Sequence, residues 1–267
     1  MVVTKMHALG DDFCLVEYEP YFDYADFAVK VCDRKLGVGA SGLIVVRYEP
    51  LEMIYYLNDG SRMPMSANAI RCFSKYCFEK GLGIRNQLEI TTGDGKIISE
   101  MISNNPFMCK VSLGKPIFNN SMIRVDDILD CFGRRILVNN HYFTIYSLYL
   151  SDIETVVFVD DFDIVDEYAK LISKYEIFSS GTNVNFVHVV NKEVIKVMTY
   201  DRHNGFVTSG SGAAASVIVS QKLGYTKCNC KASFDNGFLK IEITKKGIVN
   251  VTGMANTVFT CEFMEED

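Results

Sequence analysis

The fold of this chain is most constrained by two short segments of the same kind. Each segment places a serine among small residues just before an apolar run. The first is Met65-Ser66-Ala67-Asn68-Ala69-Ile70-Arg71-Cys72, and the second is Thr208-Ser209-Gly210-Ser211-Gly212-Ala213-Ala214-Ala215. Both runs are typical of helices and end at a glycine, Gly81 or Gly224. Because a helix N-terminus attracts anions, the segments predict two helix starts that bind one small anionic ligand.

The elements predicted around the first segment recur around the second. Each half has a helix that an aspartate could cap, Asp23 or Asp163, and then a glycine-containing loop, two strands, a turn and the serine segment. Ser66 and Ser209 are 143 positions apart. A repeat of this length predicts two similar domains rather than a solenoid.

The sequence therefore predicts an α/β (α+β) fold of two homologous domains. We assign residues 1–113 to the N-terminal half and residues 114–255 to the C-terminal half. The last predicted strand, within residues 256–267, is expected to return to the N-terminal half.

Composition limits the classes of function. The chain has 267 residues, of which 48% are hydrophobic, so it can bury a sizeable core. A net charge of −6 argues against binding nucleic acid or an acidic membrane surface. No apolar run approaches the roughly 18 residues of a membrane span.

Nine cysteines without a CxxC pair, and without a signal peptide before them, predict reduced thiols in a cytoplasmic protein. Cys228 and Cys230 lack a partner pair with zinc spacing, so we predict no metal site.

The paired helix starts suggest a type of chemistry. If both hold one carboxylate, the side chains at positions 66 and 209 flank the next carbon from opposite sides, as a two-base racemase requires. Such a site needs groups that act as acid and base near neutral pH. A thiol suits this role, whereas a serine hydroxyl holds its proton too tightly without a partner base. Neither segment contains a histidine that could be that base.

Several motifs in order carry a family resemblance. The segment Lys5-Met6-His7-Ala8-Leu9-Gly10-Asp11-Asp12-Phe13 is similar to K-M-x-G-L-G-N-D-F, and Gly37-Val38-Gly39-Ala40-Ser41-Gly42 to G-V-G-A-D-G. Asn58-Asp59-Gly60-Ser61 and the first serine segment resemble N-x-D-G-S and M-C-G-N-G-x-R-C. Asp201-Arg202 and the second serine segment resemble E-R-G and C-G-T-G-A. The chain thus resembles the diaminopimelate epimerase family, which comprises amino-acid racemases that use no pyridoxal phosphate.

The resemblance implies a fold and a site. Each domain is expected to wrap a mostly antiparallel sheet around a central helix, with the active site in the interdomain cleft. It implies a free amino acid as substrate, no cofactor, and a possible homodimer. Ser66 and Ser209 stand at the catalytic cysteine positions, and the backbone N–H groups of Ala67, Asn68, Gly210 and Ser211 would bind the α-carboxylate. Asn58, Asn183 and Arg202 stand where the family reads the distal end of the substrate.

The departures from the family pattern concern activity and substrate. With two serines, the chain is expected to bind substrate but to turn it over very poorly, and the sequence leaves open whether these serines are natural or engineered. Cys72 is predicted to be core rather than a shifted catalytic thiol. Carboxylates stand at Asp11, at Asp201, and at Asp152-Ile153-Glu154 in place of N-P-H.

Asp11 and Asp152 are either substrate-reading groups or solvated loop acids, and Glu154 is interpreted as a solvated loop acid. Asp201 is predicted to be a substrate-reading group. As substrate-reading groups they favour a basic amino acid, histidine first and then lysine or ornithine. Arg202 keeps diaminopimelate open as a substrate.

Two rival functions remain. One is a non-catalytic amino-acid-binding protein that kept the fold. The other is an isomerase of the phenazine-biosynthesis type, which works through a carboxylate base, and Asp201 is the only obvious candidate for that base.

Overall fold

The structure is a computed structural model that describes residues 1–119, 121–123 and 130–264. It divides into two compact units, Met1–Ser112 with Thr252–Asp267, and Leu113–Val251. The last three residues of the predicted 256–267 segment lie outside the described residues. No helix in the described ranges is long and apolar enough to cross a membrane.

In the N-terminal unit, strands precede and follow each of two helices along the chain. Its elements are β1 (Val2–Ala8), β2 (Asp11–Glu17), α1 (Tyr24–Cys32), β3 (Gly42–Arg47), β4 (Glu52–Leu57), β5 (Arg62–Met63), α2 (Ala67–Glu79), β6 (Gln87–Thr92), β7 (Gly95–Asn104) and β8 (Phe107–Ser112). The pairs β1–β2, β3–β4, β4–β5, β6–β7 and β7–β8 are antiparallel, whereas β2–β3 and β4–β6 are parallel.

The C-terminal unit repeats this order. Its elements are β9 (Phe132–Val138), β10 (His141–Tyr149), β11 (Ile153–Phe158), α3 (Val165–Ser173), β12 (Asn183–Asn191), β13 (Val194–Asp201), β14 (Gly205–Val207), α4 (Gly210–Lys222), β15 (Asn229–Phe234) and β16 (Gly237–Ile243). The following strand, β17 (Val249–Met254), contains the boundary between the units. The final strand is β18 (Asn256–Glu262).

The pairing pattern confirms the internal repeat. The antiparallel pair β10–β11, the parallel pair β11–β12 and the parallel pair β13–β15 match β1–β2, β2–β3 and β4–β6. β18 lies antiparallel to β1, with Val2 opposite Glu262, as β9 lies antiparallel to β10. The mostly antiparallel sheets predicted for the two halves are therefore confirmed.

One helix in each unit is buried on nearly all sides. α2 contacts β1, β2, β3, β4, β7, β8 and β18, and α4 contacts β11, β12, β13, β15 and β16. Residues 67–74 of α2 and residues 212–220 of α4 are all buried. A helix covered all round must satisfy its polar side chains inside the protein. Ser216 and Ser220 do so by donating to the carbonyl oxygens of Gly212 and Ser216, at 2.7 Å each.

All nine cysteines are free thiols, and seven of them are buried. The prediction that Cys72 is core is confirmed, since it is 0% exposed. Burial raises the pKa of the Cys72 thiol well above its usual value. Cys72 is therefore no substitute for a reactive thiolate. No group of three or more candidate metal ligands occurs among the described residues.

The two predicted aspartate caps differ. Asp23 caps α1, because its Oδ1 accepts the N–H groups of Ala25 and Asp26 at 3.1 Å each. The cap predicted at Asp163 is wrong. α3 begins one residue later than that cap requires, so Ile164 occupies the N-cap position, with no side-chain hydrogen bond. The Asp163 N–H instead donates to Asp161 Oδ1.

These two aspartates form a matched pair of substitutions. Asp23→Ala removes two hydrogen bonds to α1 and is expected to lower the free energy of unfolding by about 1 kcal/mol. Asp163→Ala removes no cap and is expected to change it by less than about 0.5 kcal/mol. Urea unfolding followed by circular dichroism measures both values, and equal losses would contradict the assigned caps.

Candidate active site

Ser66 is the N-cap of α2. Its backbone is extended, at φ −140° and ψ 133°, and its Oγ accepts the Ala69 N–H at 3.4 Å. The Ile70 N–H donates to the Ser66 carbonyl at 2.9 Å. Helix geometry gives the first N–H groups, those of Ala67 and Asn68, no acceptor within the helix. The predicted anion-binding groups of this half therefore lie at a helix N-terminus, where the dipole favours negative charge.

The Asn68 side chain joins two charged residues. Its Nδ2 donates to Asp11 Oδ2 at 2.8 Å, and its Oδ1 accepts from Arg71 Nη2 at 2.6 Å. Arg71 is 0% exposed and also donates to the Met254 carbonyl at 3.4 Å. Asn68 is thus fixed from both ends at the first turn of the helix.

Asp11 is the first residue of β2 and is half-buried, so its interpretation as a solvated loop acid is wrong. Burial raises the pKa of Asp11 to about 6, against the opposing effect of the hydrogen bond from Asn68. The adjacent Asp12 behaves differently. Desolvation raises the pKa of Asp12, but hydrogen bonds from Arg34 and Lys5 outweigh this effect and hold the pKa well below its usual range. Asn58, the remaining predicted residue of this half, lies in the exposed turn after β4.

Ser209 repeats in α4 what Ser66 does in α2. It is an extended N-cap, at φ −109° and ψ 129°, and its Oγ accepts the Gly212 N–H at 2.9 Å. The Ala213 N–H donates to the Ser209 carbonyl at 3.1 Å. Gly210 and Ser211 supply the first N–H groups of this helix. The two serine segments thus have the same local structure, as the sequence repeat predicts.

Glu154 is a residue that the sequence reasoning missed. It is 0% exposed on β11, so its interpretation as a solvated loop acid is wrong. Its Oε1 accepts the Ser211 hydroxyl at 2.7 Å, and its Oε2 accepts Asn185 Nδ2 at 2.7 Å. Ser211 Oγ in turn lies 3.1 Å from Ser209 Oγ. The only sequence signal for Glu154 was its place at the end of the segment that stands for N-P-H.

The environment of Glu154 favours its protonated form. Burial raises the pKa of Glu154 to about 7, and the negative charge of Asp152 acts in the same direction. Hydrogen bonds from Asn185, Ser211 and Asn183 oppose the rise. Glu154 therefore changes charge near neutral pH, as a general acid or base requires.

Three predicted substrate-reading residues lie together beside Glu154. Asp152 Oδ1 pairs with Arg202 Nη2 at 2.8 Å, and Asp152 Oδ2 accepts Asn183 Nδ2 at 3.2 Å. The Arg202 N–H donates to Asn183 Oδ1 at 3.1 Å. Nη1 of Arg202 is buried and has no hydrogen-bond partner among the described residues.

Asp201 does not join this group through its Oδ1 atom. That oxygen accepts the N–H groups of His203 and Asn204 and so stabilises its own turn. Any substrate-reading role of Asp201 stays a prediction.

The raised pKa of Glu154 makes stability depend on pH. The folded protein holds this proton more tightly than the unfolded chain, whose glutamates ionise near pH 4.5. The contribution of Glu154 to stability is therefore greatest below pH 4.5, falls as the pH rises, and is lost above about pH 7. Between pH 5 and 8, wild type is expected to lose about 2 kcal/mol relative to Glu154→Gln.

Thermal or urea unfolding at several pH values measures this difference. Glu193→Gln, on an exposed glutamate paired with Lys227, is the control and is expected to follow wild type closely. Parallel pH profiles for wild type and Glu154→Gln would show that Glu154 has no raised pKa.

Comparison with known proteins tests the family resemblance. The sequence model of the family described as diaminopimelate epimerase matches residues 3–119 and 154–258. A diaminopimelate epimerase of Caldanaerobacter subterraneus subsp. tengcongensis is 36% identical over 98% of this chain and 99% of its own length. A diaminopimelate epimerase of Clostridium perfringens is 33% identical over 98% of both chains.

The fold also occurs among solved structures. A Bacillus anthracis phenazine biosynthesis protein of the PhzF family superposes with a TM-score of 0.71 at 11% identity, over 99% of each chain. This likeness concerns the fold alone. The sequence relatives carry the assignment and confirm the resemblance drawn from the motifs, so the chain belongs to the diaminopimelate epimerase family and to the isomerases.

Proposed function

We propose that this protein is a cofactor-independent amino-acid racemase or epimerase in which Ser66 and Ser209 act on one α-carbon, each from its own face. The observation that carries the proposal is that each unit starts its buried central helix at a serine N-cap of the same geometry. The first N–H groups of each helix suit a carboxylate. The residue at the cap would then lie beside the carbon that carries this carboxylate.

Turnover by the chain as it stands is expected to be very slow. A thiol with an ordinary pKa of about 8.5 takes and gives protons near neutral pH, whereas a serine hydroxyl holds its proton far more tightly. Ser66 Oγ already accepts a helix N–H, and so does Ser209 Oγ. The free thiols of the chain support the proposal of a reducing compartment such as the cytoplasm.

Restoring the two thiols tests this function. The double variant Ser66→Cys/Ser209→Cys is expected to exchange the substrate α-hydrogen with deuterated water, and to invert the α-carbon, at least about 100-fold faster than wild type. Proton NMR and chiral chromatography measure the two rates on histidine, lysine, ornithine and diaminopimelate. Cys72→Ser in the same background controls for thiol chemistry elsewhere, because Cys72 is fully buried.

The rival, a non-catalytic amino-acid-binding protein, predicts a different result. One of these amino acids would raise the melting temperature of the double-cysteine variant, yet neither exchange nor inversion would follow. That combination would contradict the racemase function.

For the substrate we propose a basic amino acid, with histidine favoured. Asp11 supports this preference, since its half-buried carboxylate accepts a hydrogen bond from the neutral Asn68 side chain and has a raised pKa. A cationic or N–H-bearing side chain would favour its ionised form. Asp152 contributes less than its charge suggests, because Arg202 already pairs with it at 2.8 Å.

Diaminopimelate is the second candidate, and a separate observation favours it. Arg202 Nη1 is a buried donor without a hydrogen-bond partner among the described residues. A buried unpaired donor costs stability, and the distal carboxylate of diaminopimelate would supply an acceptor for it.

Two conservative variants separate the candidates. Asp11→Asn is expected to abolish the rise in melting temperature caused by histidine or lysine. Arg202→Lys keeps the positive charge beside Asp152 but loses the planar fork, so it is expected to weaken diaminopimelate binding about 10-fold and leave histidine binding unchanged. Isothermal titration measures both affinities. If Asp11→Asn binds histidine as tightly as wild type, the basic-substrate proposal is wrong.

A further inference from the structure

Ser209, Ser211 and Glu154 form a continuous row of hydrogen bonds. Ser209 Oγ lies 3.1 Å from Ser211 Oγ, and Ser211 Oγ donates to Glu154 Oε1 at 2.7 Å. An ionised carboxylate only accepts hydrogen bonds, so Ser211 must give it its proton and can accept the proton of Ser209. The Gly212 N–H donates to Ser209 Oγ at 2.9 Å and leaves that hydroxyl proton free to point along the row.

We propose that Glu154 is the terminal proton acceptor of a relay, running through Ser211 and Ser209, that removes the α-hydrogen of the bound amino acid. This inference rests on the proposed racemase function and supplies the partner base that a serine needs. It gives the chain a weak activity of its own, which is α-hydrogen exchange at one face of the substrate.

The proton transfers balance without any further reactant. The α-carbon C–H bond breaks, its proton goes to Ser209 Oγ, and its electron pair stays on the α-carbon and spreads into the carboxylate. The Ser209 proton moves to Ser211 Oγ, and the Ser211 proton moves to Glu154 Oε1. The carboxylate becomes a neutral acid while both serines remain hydroxyls. The reverse sequence returns a proton to the same face. After the Ser209 hydroxyl has exchanged its hydrogen with deuterated water, the reverse sequence returns a deuteron.

The groups around Glu154 support its role as the acceptor. Asn185 holds Oε2 at 2.7 Å and is itself fixed, because its Oδ1 accepts the Thr199 hydroxyl at 2.7 Å. Asn183 Nδ2 lies 3.4 Å from Oε1. Burial and the negative charge of Asp152, which is itself paired with Arg202 at 2.8 Å, raise the pKa of Glu154 to about 7. The acceptor therefore gains and loses its proton near neutral pH.

The described residues of the N-terminal unit form no equivalent relay. Ser66 Oγ accepts the Ala69 N–H, and within the described part of that unit no carboxylate is hydrogen-bonded to it. Asp11, an acid that contacts the first turn of this helix, accepts a hydrogen bond from Asn68 instead. Exchange at one face only means that the substrate takes up deuterium with its configuration retained.

The experiment follows α-hydrogen exchange and inversion by the full-length protein in deuterated water. Proton NMR and chiral chromatography report the two rates for both enantiomers of histidine, lysine and diaminopimelate. We expect wild type to exchange one enantiomer of a bound amino acid at least about 10-fold faster than it inverts it. Ser211→Ala and Glu154→Gln are expected to reduce this exchange at least about 100-fold.

Further variants separate a relay from a structural effect. Ser211→Thr keeps the hydroxyl and is expected to keep exchange within a few-fold of wild type. Ser220→Ala is the matched control, because it removes a serine hydroxyl from the same helix but outside the row. It is expected to leave the exchange rate unchanged. The wild-type exchange rate should rise with pH as Glu154 ionises, whereas the residual rate of Glu154→Gln should lack that rise.

The outcomes distinguish this proposal from the proposed function. If Ser66→Cys/Ser209→Cys exchanges and wild type does not, the relay is wrong and the racemase function stands. If wild type exchanges but folded Ser211→Ala or Glu154→Gln exchanges equally fast, the relay is also wrong. If neither wild type nor the double-cysteine variant exchanges any of these amino acids, both proposals fall.

Discussion

The remaining structure depends on one constraint, which is that strands cover one helix of each unit on nearly all sides. A buried helix must satisfy its polar side chains locally, and Arg71 and Ser216 do so through Asn68 and the Gly212 carbonyl. The first N–H groups have no acceptor within the helix. Ser66 and Ser209 each accept one of the next N–H groups through Oγ, and both serines are only partly buried. The polar chemistry of each unit thus concentrates at the start of its helix.

Features set by neighbouring residues were predictable from the sequence. Both central helices begin directly after the serines, and the repeat around them has the predicted element order. The aspartate caps show the limit of such prediction. Asp23 and Asp163 have similar settings in the sequence, but α3 starts one residue later than a cap at Asp163 requires. A shift of one residue depends on the turn before the helix, which sequence patterns define poorly.

The site residues were predictable only where a motif named them. Glu154 was missed because Asn185 and Ser211 lie 31 and 57 positions further along the chain, so nothing beside it in sequence shows that it is buried. Charge counting had a related weakness. The extra carboxylates predicted a basic substrate, but Arg202 neutralises Asp152, which leaves Asp11 as the stronger support for that preference. Pairing of this kind depends on tertiary structure.

The hydrogen-bond partners of Glu154 differ in whether they can exchange the donor and acceptor roles. Asn185 is fixed as a donor to Glu154 Oε2 because its own Oδ1 accepts the Thr199 hydroxyl. The same Oδ1 lies so close to Gly212 that a Cβ at that position would stand 2.1 Å from it. The hydroxyls of Ser211 and Ser209 rotate freely between donating and accepting. When Glu154 is ionised, both hydroxyls donate toward it; when it is protonated, it donates to Ser211, which donates to Ser209. Both charge states are therefore hydrogen-bonded with no heavy atom moving, and a proton relay needs this property.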